Sequence, residues 1–322
     1  MRAVSLPAAR VGTLAALLVA GLLLSGCASQ TPKTDEHTGR HVLVRSAAVT
    51  TTHITVLPDL TYADNGGVAE RLDICMPAAA QGSSIAFRPA IVAIHGGSWM
   101  EGDKAEPQWR RECQWLASAG YVVADVDYRL APVHHFPDAL DDVESAVEWM
   151  RAPAQASRFG IDPTLIGAFG GSAGGNLASL LGTAGRGALD VGHRVAAVVE
   201  LSGPVDLTGR TAESDILKPR VLSYLGCASF AACPQAVAAS PVDNVDSTDS
   251  PFLILHSTDE LVPLAQSTSF AARLRAAHVP VTLVTVPGTL HSIAMLTPDL
   301  RTRIIAFYRS VLIHHASAAT TS

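Results

Sequence analysis

The stretch "GAFGGSAGGN", Gly167 to Asn176, sets five glycines around a single serine. Three chemistries use glycine at that density: cradling a phosphate, binding a dinucleotide, or presenting a nucleophile. A phosphate-binding loop needs G-x-x-x-x-G-K-[ST], and Asn176 stands where the lysine belongs. A dinucleotide fingerprint needs G-x-G-x-x-G, and no three of Gly167, Gly170, Gly171, Gly174 and Gly175 have that spacing. The pattern that fits is G-x-S-x-G over Gly170 to Gly174, which places Ser172 on a sharp strand-to-helix turn. Glycines flank such a serine because a Cβ there would strike the neighbouring strand or helix. The helix start leaves the Ala173 N–H free and adds positive potential where an oxyanion would develop.

A serine hydroxyl attacks only when a base removes its proton, and the base needs an acid to hold its tautomer. Of the 12 histidines, His291 is the candidate base, because it follows the β-branched run "VTLVTV" through the loop "PGTLH" and precedes the last helical pattern. His53 and His193 lie in polar surroundings, His134 and His135 in a Pro-bounded loop, and His314 and His315 in the tail. The candidate acid is Asp259, just after the apolar run "FLILHS", with Glu260 its immediate rival. Asp243, Asp246 and Asp249 precede that run and would sit at the opposite end of a strand. In "AIVAIHGGSW", Gly96 and Gly97 let backbone N–H groups approach a substrate oxygen. His95 reads as a hydrogen-bonding residue of that turn, and Trp99 as either packing or the wall of an acyl site.

These residues need a scaffold, and the chain supplies a rhythm of short apolar runs alternating with longer helical patterns. Strands are expected near 70–76 and at 90–95, 121–128, 165–169, 195–201, 252–257 and 281–286, with helices at 106–119, 138–151, 173–184, 263–277 and 298–314. That alternation predicts an α/β class with a mainly parallel sheet covered on both faces. In the helix at 138–151, Leu140, Val143, Val147 and Met150 form one stripe, and the acids fall in the first turns, where the macrodipole favours them. Residues 204–250 carry helix fragments but no clear strand, and read as an insertion over one end of the sheet, a cap or lid.

From about residue 68 to 312 the chain resembles the α/β-hydrolase superfamily, specifically serine carboxylesterases related to hormone-sensitive lipase and to the bacterial feruloyl-esterase-like branch. The resemblance rests on "HGGSW", "DYRLAPVHHFPDALDD", "FGGSAGGNLA", "SPFLILHSTDELVP" and "TVPGTLH", in that order. It implies an α/β-hydrolase fold, with Ser172 as nucleophile, His291 as base, Asp259 as acid, and Gly96, Gly97 and Ala173 as oxyanion donors. It implies a small-molecule ester substrate and no metal or organic cofactor. The hole motif has serine where hormone-sensitive-lipase relatives have a third glycine, which sides with the feruloyl-esterase-like branch and leaves the choice among Gly96, Gly97 and Ser98 open. "HSTDE" is one residue shorter before the aspartate than the common form; counted back from Val262-Pro263, Asp259 aligns. A peptidase or acyltransferase on the same triad, or an inactive surface binding module, is the alternative.

The ends of the chain say where it works. Arg2 and Arg10 precede the apolar run "VGTLAALLVAGLLLSGC", too short to span a bilayer comfortably and closing on a small-small-Cys box. The expectation is a bacterial lipoprotein signal over 1–26, lipidated Cys27, a polar tether over 27–49, a catalytic domain over 50–316 and a disordered tail over 317–322. Such a chain is held at the outer face of the cell membrane by its lipid. A formal net charge of −6, with no basic block, argues against nucleic-acid partners; the oligomeric state stays open. In an oxidising compartment Cys227 and Cys233, at the ends of "CASFAAC", are the expected disulfide. Cys75 and Cys113 either pair or stay as buried thiols. No Cys/His spacing suggests a metal site.

Overall fold

A computed structural model describes residues 49–50, 53–65, 67–78, 87–211 and 214–313. All of them belong to one compact unit, 45–322. The expected signal segment, Cys27, most of the tether and the 317–322 tail lie outside the described residues.

In chain order, β1 (Val49–Thr50), β2 (Ile54–Asn65) and β3 (Val68–Pro77) are followed by β4 (Arg88–Ile94), α1 (Pro107–Ser118), β5 (Val122–Val126), α2 (Asp138–Arg151) and α3 (Pro153–Phe159). Then come β6 (Ile161–Gly171), α4 (Ala173–Thr183), β7 (Val198–Leu201), three short helices α5 (Lys218–Leu225), α6 (Gln235–Ala238) and α7 (Pro241–Asn244), and finally β8 (Phe252–Ser257), α8 (Ala265–Ala276), β9 (Val281–Val286) and α9 (Pro298–Tyr308). Among the described residues the strands form one sheet in the order β1-β2-β3-β5-β4-β6-β7-β8-β9. It is antiparallel from β1 to β5 and parallel from β5 to β9.

Central strands must be apolar on both sides, and β4 shows why. Its alternate residues Ala90, Val92 and Ile94 enter one core, and Ile91 and Ala93 enter the other. Helices α2, α4 and α8 close the first face through Val143, Val147, Leu177, Leu181, Phe270 and Leu274. On the opposite face α1 and α9 pack through Trp109, Cys113, Leu116, Ile304 and Tyr308. The expected stripe of α2 is buried at Val143, Val147 and Met150, while Leu140 is only partly buried against it.

Register brings the chemistry to one edge. Ile94 pairs with Gly170, Gly171 with Leu201, Leu201 with Leu255, and Ser257 with Val286. The segments leaving the carboxyl ends of β4, β6, β7, β8 and β9 therefore start side by side, the usual place for function in a parallel sheet.

β2 and α3 were not expected. β2 carries Pro58 within it, and its pairing with β3 slips between Leu57 and Leu60 and again between Thr61 and Ala63, so the alternation that announces a strand is broken. α3 is a seven-residue helix begun by Pro153 and stopped by Gly160 in the left-handed conformation. The 204–250 insertion packs inward through Leu217, Val221, Tyr224 and Leu225.

Cys227 and Cys233 are bonded, with Cα atoms 5.6 Å apart. Cys75 and Cys113 are bonded as well, with Cα atoms 5.8 Å apart, which resolves the two alternatives in favour of a pair and ties β3 to α1. The sequence separations are 38 and 6 residues. Loop-closure entropy then predicts that Cys75→Ala/Cys113→Ala costs up to about 4 kcal/mol and Cys227→Ala/Cys233→Ala about 2 kcal/mol. Urea unfolding of the two double variants should rank them in that order.

Candidate active site

Ser172 stands between the last residue of β6 and the first of α4, with φ 57° and ψ −122°. That backbone is strained for a residue with a side chain, and the glycines around it make it possible. A Cβ on Gly170 would lie 2.1 Å from the Gly174 carbonyl oxygen, and one on Gly174 would lie 2.1 Å from that of Ile94. The turn is held by Ser172 N–H donating to Leu201 O at 2.8 Å and by Asn176 N–H donating to Ser172 O at 3.0 Å. Ala173 opens the helix, so its N–H has no carbonyl one turn back to bond.

The Gly96-Gly97 turn lies against this serine: a Cβ on Gly96 would come within 3.3 Å of the Ser172 Cβ. Gly97 has φ +118°, and its carbonyl accepts from Met100 and Glu101 N–H. His95 is buried, stacks on Tyr128 at 4.3 Å, and donates through Nδ1 to Gly96 O at 2.7 Å. Burial drives its pKa down to about 4 despite that bond, so at neutral pH it is an uncharged part of the turn. Tyr128 in turn donates to His95 O. Beyond the turn, buried Lys104 reaches Asp59 at 2.8 Å and Asp73 at 3.1 Å, and its N–H donates to Asp127, which pins the loop to β2, β3 and the end of β5. Trp99 is packing: it is fully buried and stacks on Tyr224 of α5 at 4.4 Å.

His291 follows β9 and begins a short 3-10 turn, Ser292–Met295. Ser257 donates to Leu290 O and Ser292 N–H donates to Ser202 Oγ, so both neighbours of His291 are fixed. His291 and Ser172 line one cavity of about 660 Å³ together with Gly96 and Gly97. The Nδ1–H of His291 donates to Glu260 Oε2, and Nε2 has no hydrogen-bond partner among the described residues. A fixed Nδ1 leaves Nε2 as the nitrogen able to exchange a proton in the cavity.

The acid beside His291 is therefore Glu260, and the expectation of Asp259 is corrected. After β8 the chain keeps pairing with the β9 side, Thr258 N–H to Val286 O and Asp259 N–H to Gly288 O, which leaves Asp259 exposed. The next residue turns under His291, and the Glu260 side chain is 0% exposed. Counting forward from His256 would have found it, since Glu260 is the fourth residue after that histidine; counting back from Val262 does not.

Glu260 touches a second imidazole, with Oε1 2.7 Å from Nε2 of the fully buried His256. Burial pushes the Glu260 carboxyl up, but the hydrogen bonds and charges of His256 and His291 outweigh it and hold it below its ordinary value. Below His256 lies Glu200, also fully buried, whose carboxylate accepts from Gly203 N–H. Burial raises its pKa to about 7, opposed by His256 and the Gly203 bond.

The rest of the cavity was not legible in sequence. Trp109, Arg111 and Glu112 of α1, Glu101 and Glu106 before it, and Arg301 of α9 line it, so a group of charged side chains shares the wall with apolar residues such as Trp109, Leu261 and Ile293. Arg301 forms a two-pronged ion pair with Glu112 and lies over the Trp115 ring at 4.6 Å. Among the described residues none that lines the cavity comes from 204–250; Arg220 of that segment pairs with Glu101 at 3.1 Å. A separate groove of about 700 Å³ between α1 and α9 shares Arg301, but among the described residues no histidine or carboxylate lines it.

The BD-FAE family model matches residues 72–274. A probable carboxylic ester hydrolase, LipM, of Mycobacterium tuberculosis is 32% identical over 65% of this chain and 50% of its own. Esterase LipC of the same organism is 32% identical over 65% of this chain and 54% of its own. The chain thus spans about half the length of these curated relatives. Among solved structures, a carbohydrate esterase from gut microbiota superposes with TM-score 0.68 at 23% identity, covering 81% of this chain and 98% of that one, a likeness of fold. Propionate-bound Est2, an esterase of the planctomycete Thermogutta terrifontis, superposes with TM-score 0.63 at 26% identity over 80% and 93%.

Glu200 gives the site a pH signature. Its folded pKa lies above the unfolded value, so the native state binds the extra proton and stability falls as pH rises from about 4.5 to about 7. Glu200→Gln keeps an acceptor for Gly203 and removes the charge. Urea unfolding should show it gaining on the order of 1 to 3 kcal/mol over wild type at pH 8, and little at pH 4.

Proposed function

From the premise that the chain belongs to the BD-FAE family, we propose that it is a serine hydrolase of carboxylic esters working through Ser172, His291 and Glu260. The observation that carries the reading is the His291–Glu260 hydrogen bond, made in the same cavity that Ser172 enters on a strained turn. The relatives named as esterases support it.

In this mechanism His291 Nε2 takes the Ser172 proton as Oγ bonds to the ester carbonyl carbon. The carbonyl oxygen becomes an oxyanion and is held by backbone N–H groups of the Gly96-Gly97 turn and of Ala173. Collapse breaks the bond to the alcohol oxygen, which leaves with the proton from His291. Water then gives a proton to His291, attacks the acyl-Ser172 ester, and releases the acid as Ser172 recovers its proton. Glu260 keeps Nδ1 protonated and stabilises the transient imidazolium. The charged side of the cavity, Glu101, Glu106, Arg111 and Arg301, favours short, polar esters over long alkyl chains, which would strip water from these groups.

We also propose that the chain is a lipoprotein anchored outside the cell membrane through Cys27. The n-region, apolar core and "LSGC" box support this, as do two disulfides suited to an oxidising compartment.

Two measurements test these readings. On p-nitrophenyl acetate, Ser172→Ala should lose at least about 10⁴-fold in kcat and Glu260→Gln about 10²- to 10⁴-fold, while Asp259→Asn stays within about threefold; an active Ser172→Ala would exclude the mechanism. In cells fed a radiolabelled fatty acid, Cys27→Ser should carry no label; persistent labelling would rule out the anchor.

A further inference from the structure

Glu260 has two histidines, and the mechanism above uses only one. His256, the fifth residue of β8, is fully buried. Its Nδ1 lies 2.6 Å from Ser267 Oγ of α8, and its Nε2 lies 2.7 Å from both Val262 O and Glu260 Oε1. A carbonyl oxygen only accepts, so Nε2 carries a hydrogen and donates it to Val262 O; Glu260 Oε1 lies 2.7 Å from the same nitrogen as a close ion-pair contact, with no hydrogen bond of its own among the described residues. A serine hydroxyl both donates and accepts, so Ser267 satisfies Nδ1 whether the ring is neutral or protonated. The two oxygens of Glu260 are thus divided, Oε2 to His291 and Oε1 to His256.

We propose that His256 is a positioning residue for the acid of the triad: it anchors Glu260 Oε1, aims Oε2 at His291 Nδ1, and tempers with its own charge the pull of the carboxylate on His291. This rests on the reading of Ser172, His291 and Glu260 as the triad. The need for such an anchor comes from the chain itself. Glu260 sits in a turn rather than on a strand and has one more rotatable bond than an aspartate, so a single contact to a half-open His291, 26% exposed, leaves the carboxylate free to swing.

The charged and titratable groups that face His256 among the described residues are Glu260, from the loop after β8, and Glu200, from β7. Burial disfavours a charge on His256, but these two carboxyl groups and the Val262 carbonyl outweigh it and raise its tendency to protonate. A protonated His256 opposes a second positive charge on His291 across the shared carboxylate. Without it, the pull of the Glu260 carboxylate on His291 is undiminished.

The test compares full-length wild type with His256→Leu, His256→Gln, His256→Asn and Glu260→Gln. Each is assayed on p-nitrophenyl acetate from about pH 5 to 9, with rates normalised to active sites titrated by a phosphonate ester. His256→Leu is expected to lose about tenfold or more in kcat with KM within about twofold, and its acid limb of kcat/KM should move up by about half a pH unit or more. Gln presents its amide N–H near the Nε2 position and should recover most of kcat while keeping the shifted limb. Asn places its amide near Nδ1 and should recover neither. The inference is overturned if His256→Leu matches wild type in kcat and limb, or if all three variants are equally slow with an unmoved limb, the mark of a packing residue. Should the Leu variant not fold, the Gln-against-Asn comparison decides alone. A Glu260→Gln variant with wild-type kcat would refute the triad itself, whereas an impaired Glu260→Gln beside an unimpaired His256→Leu refutes only the role of His256.

Discussion

A carboxylate removed from water must find donors or give up its charge, and Glu260 is the place where that constraint shapes the molecule. Its side chain has no exposure, and its two oxygens meet two imidazoles, one rising from a strand and one hanging from a loop. Satisfying it therefore fixes the segment after β8 to the segment after β9. The serines that hold His256 and the neighbours of His291, namely Ser267, Ser257 and Ser202, extend the same network into α8 and the end of β7. Removing one partner of such a buried charge costs about 3–5 kcal/mol by general experience, enough to hold the loops around His291 firmly in place.

A second constraint acts on the other side of Ser172. The strained turn and the chain entering the Gly96-Gly97 loop approach so closely that a Cβ on Gly174 would strike the Ile94 carbonyl, and one on Gly96 would be crowded by Gly171 and Ser172. The loop is kept in place from behind by neutral His95 stacked on Tyr128, and by Lys104 among the carboxylates of Asp59, Asp73 and Asp127. Ser172 and the Gly96-Gly97 turn are thus held by sterics and by the ion cluster around buried Lys104, whereas His291 and Glu260 are held by hydrogen bonds. The Cys75–Cys113 bond adds a covalent tie at the root of α1, the helix that brings Trp109, Arg111 and Glu112 to the cavity.

Much of this could be read from residue order, because the features involved are local. Ser172 announces itself through Gly170 and Gly174, and the buried strands through unbroken apolar runs such as "FLILHS". His291 is identified by its place after the last strand. What could not be read depends on distances between segments remote in sequence. Asp259 and Glu260 are adjacent, both acidic and both in the turn after β8; only the continued pairing of Thr258 and Asp259 with the β9 side decides which one faces His291. The charged part of the cavity wall comes from Arg111 and buried Glu112 of α1 and from Arg301, almost 200 residues further on, and no periodicity marks them as functional. β2 escaped notice because Pro58 and two register slips erase its alternation.

The central claim is that the proton on His291 Nδ1 is held by Glu260 and not by Asp259. Low-field proton NMR of histidine-¹⁵N-labelled protein observes that proton directly, with the His291 signal assigned by its loss in His291→Gln. The account predicts a deshielded His291 Nδ1–H resonance in wild type that survives Asp259→Asn and disappears in Glu260→Gln. A resonance that persists in Glu260→Gln and vanishes in Asp259→Asn would contradict it.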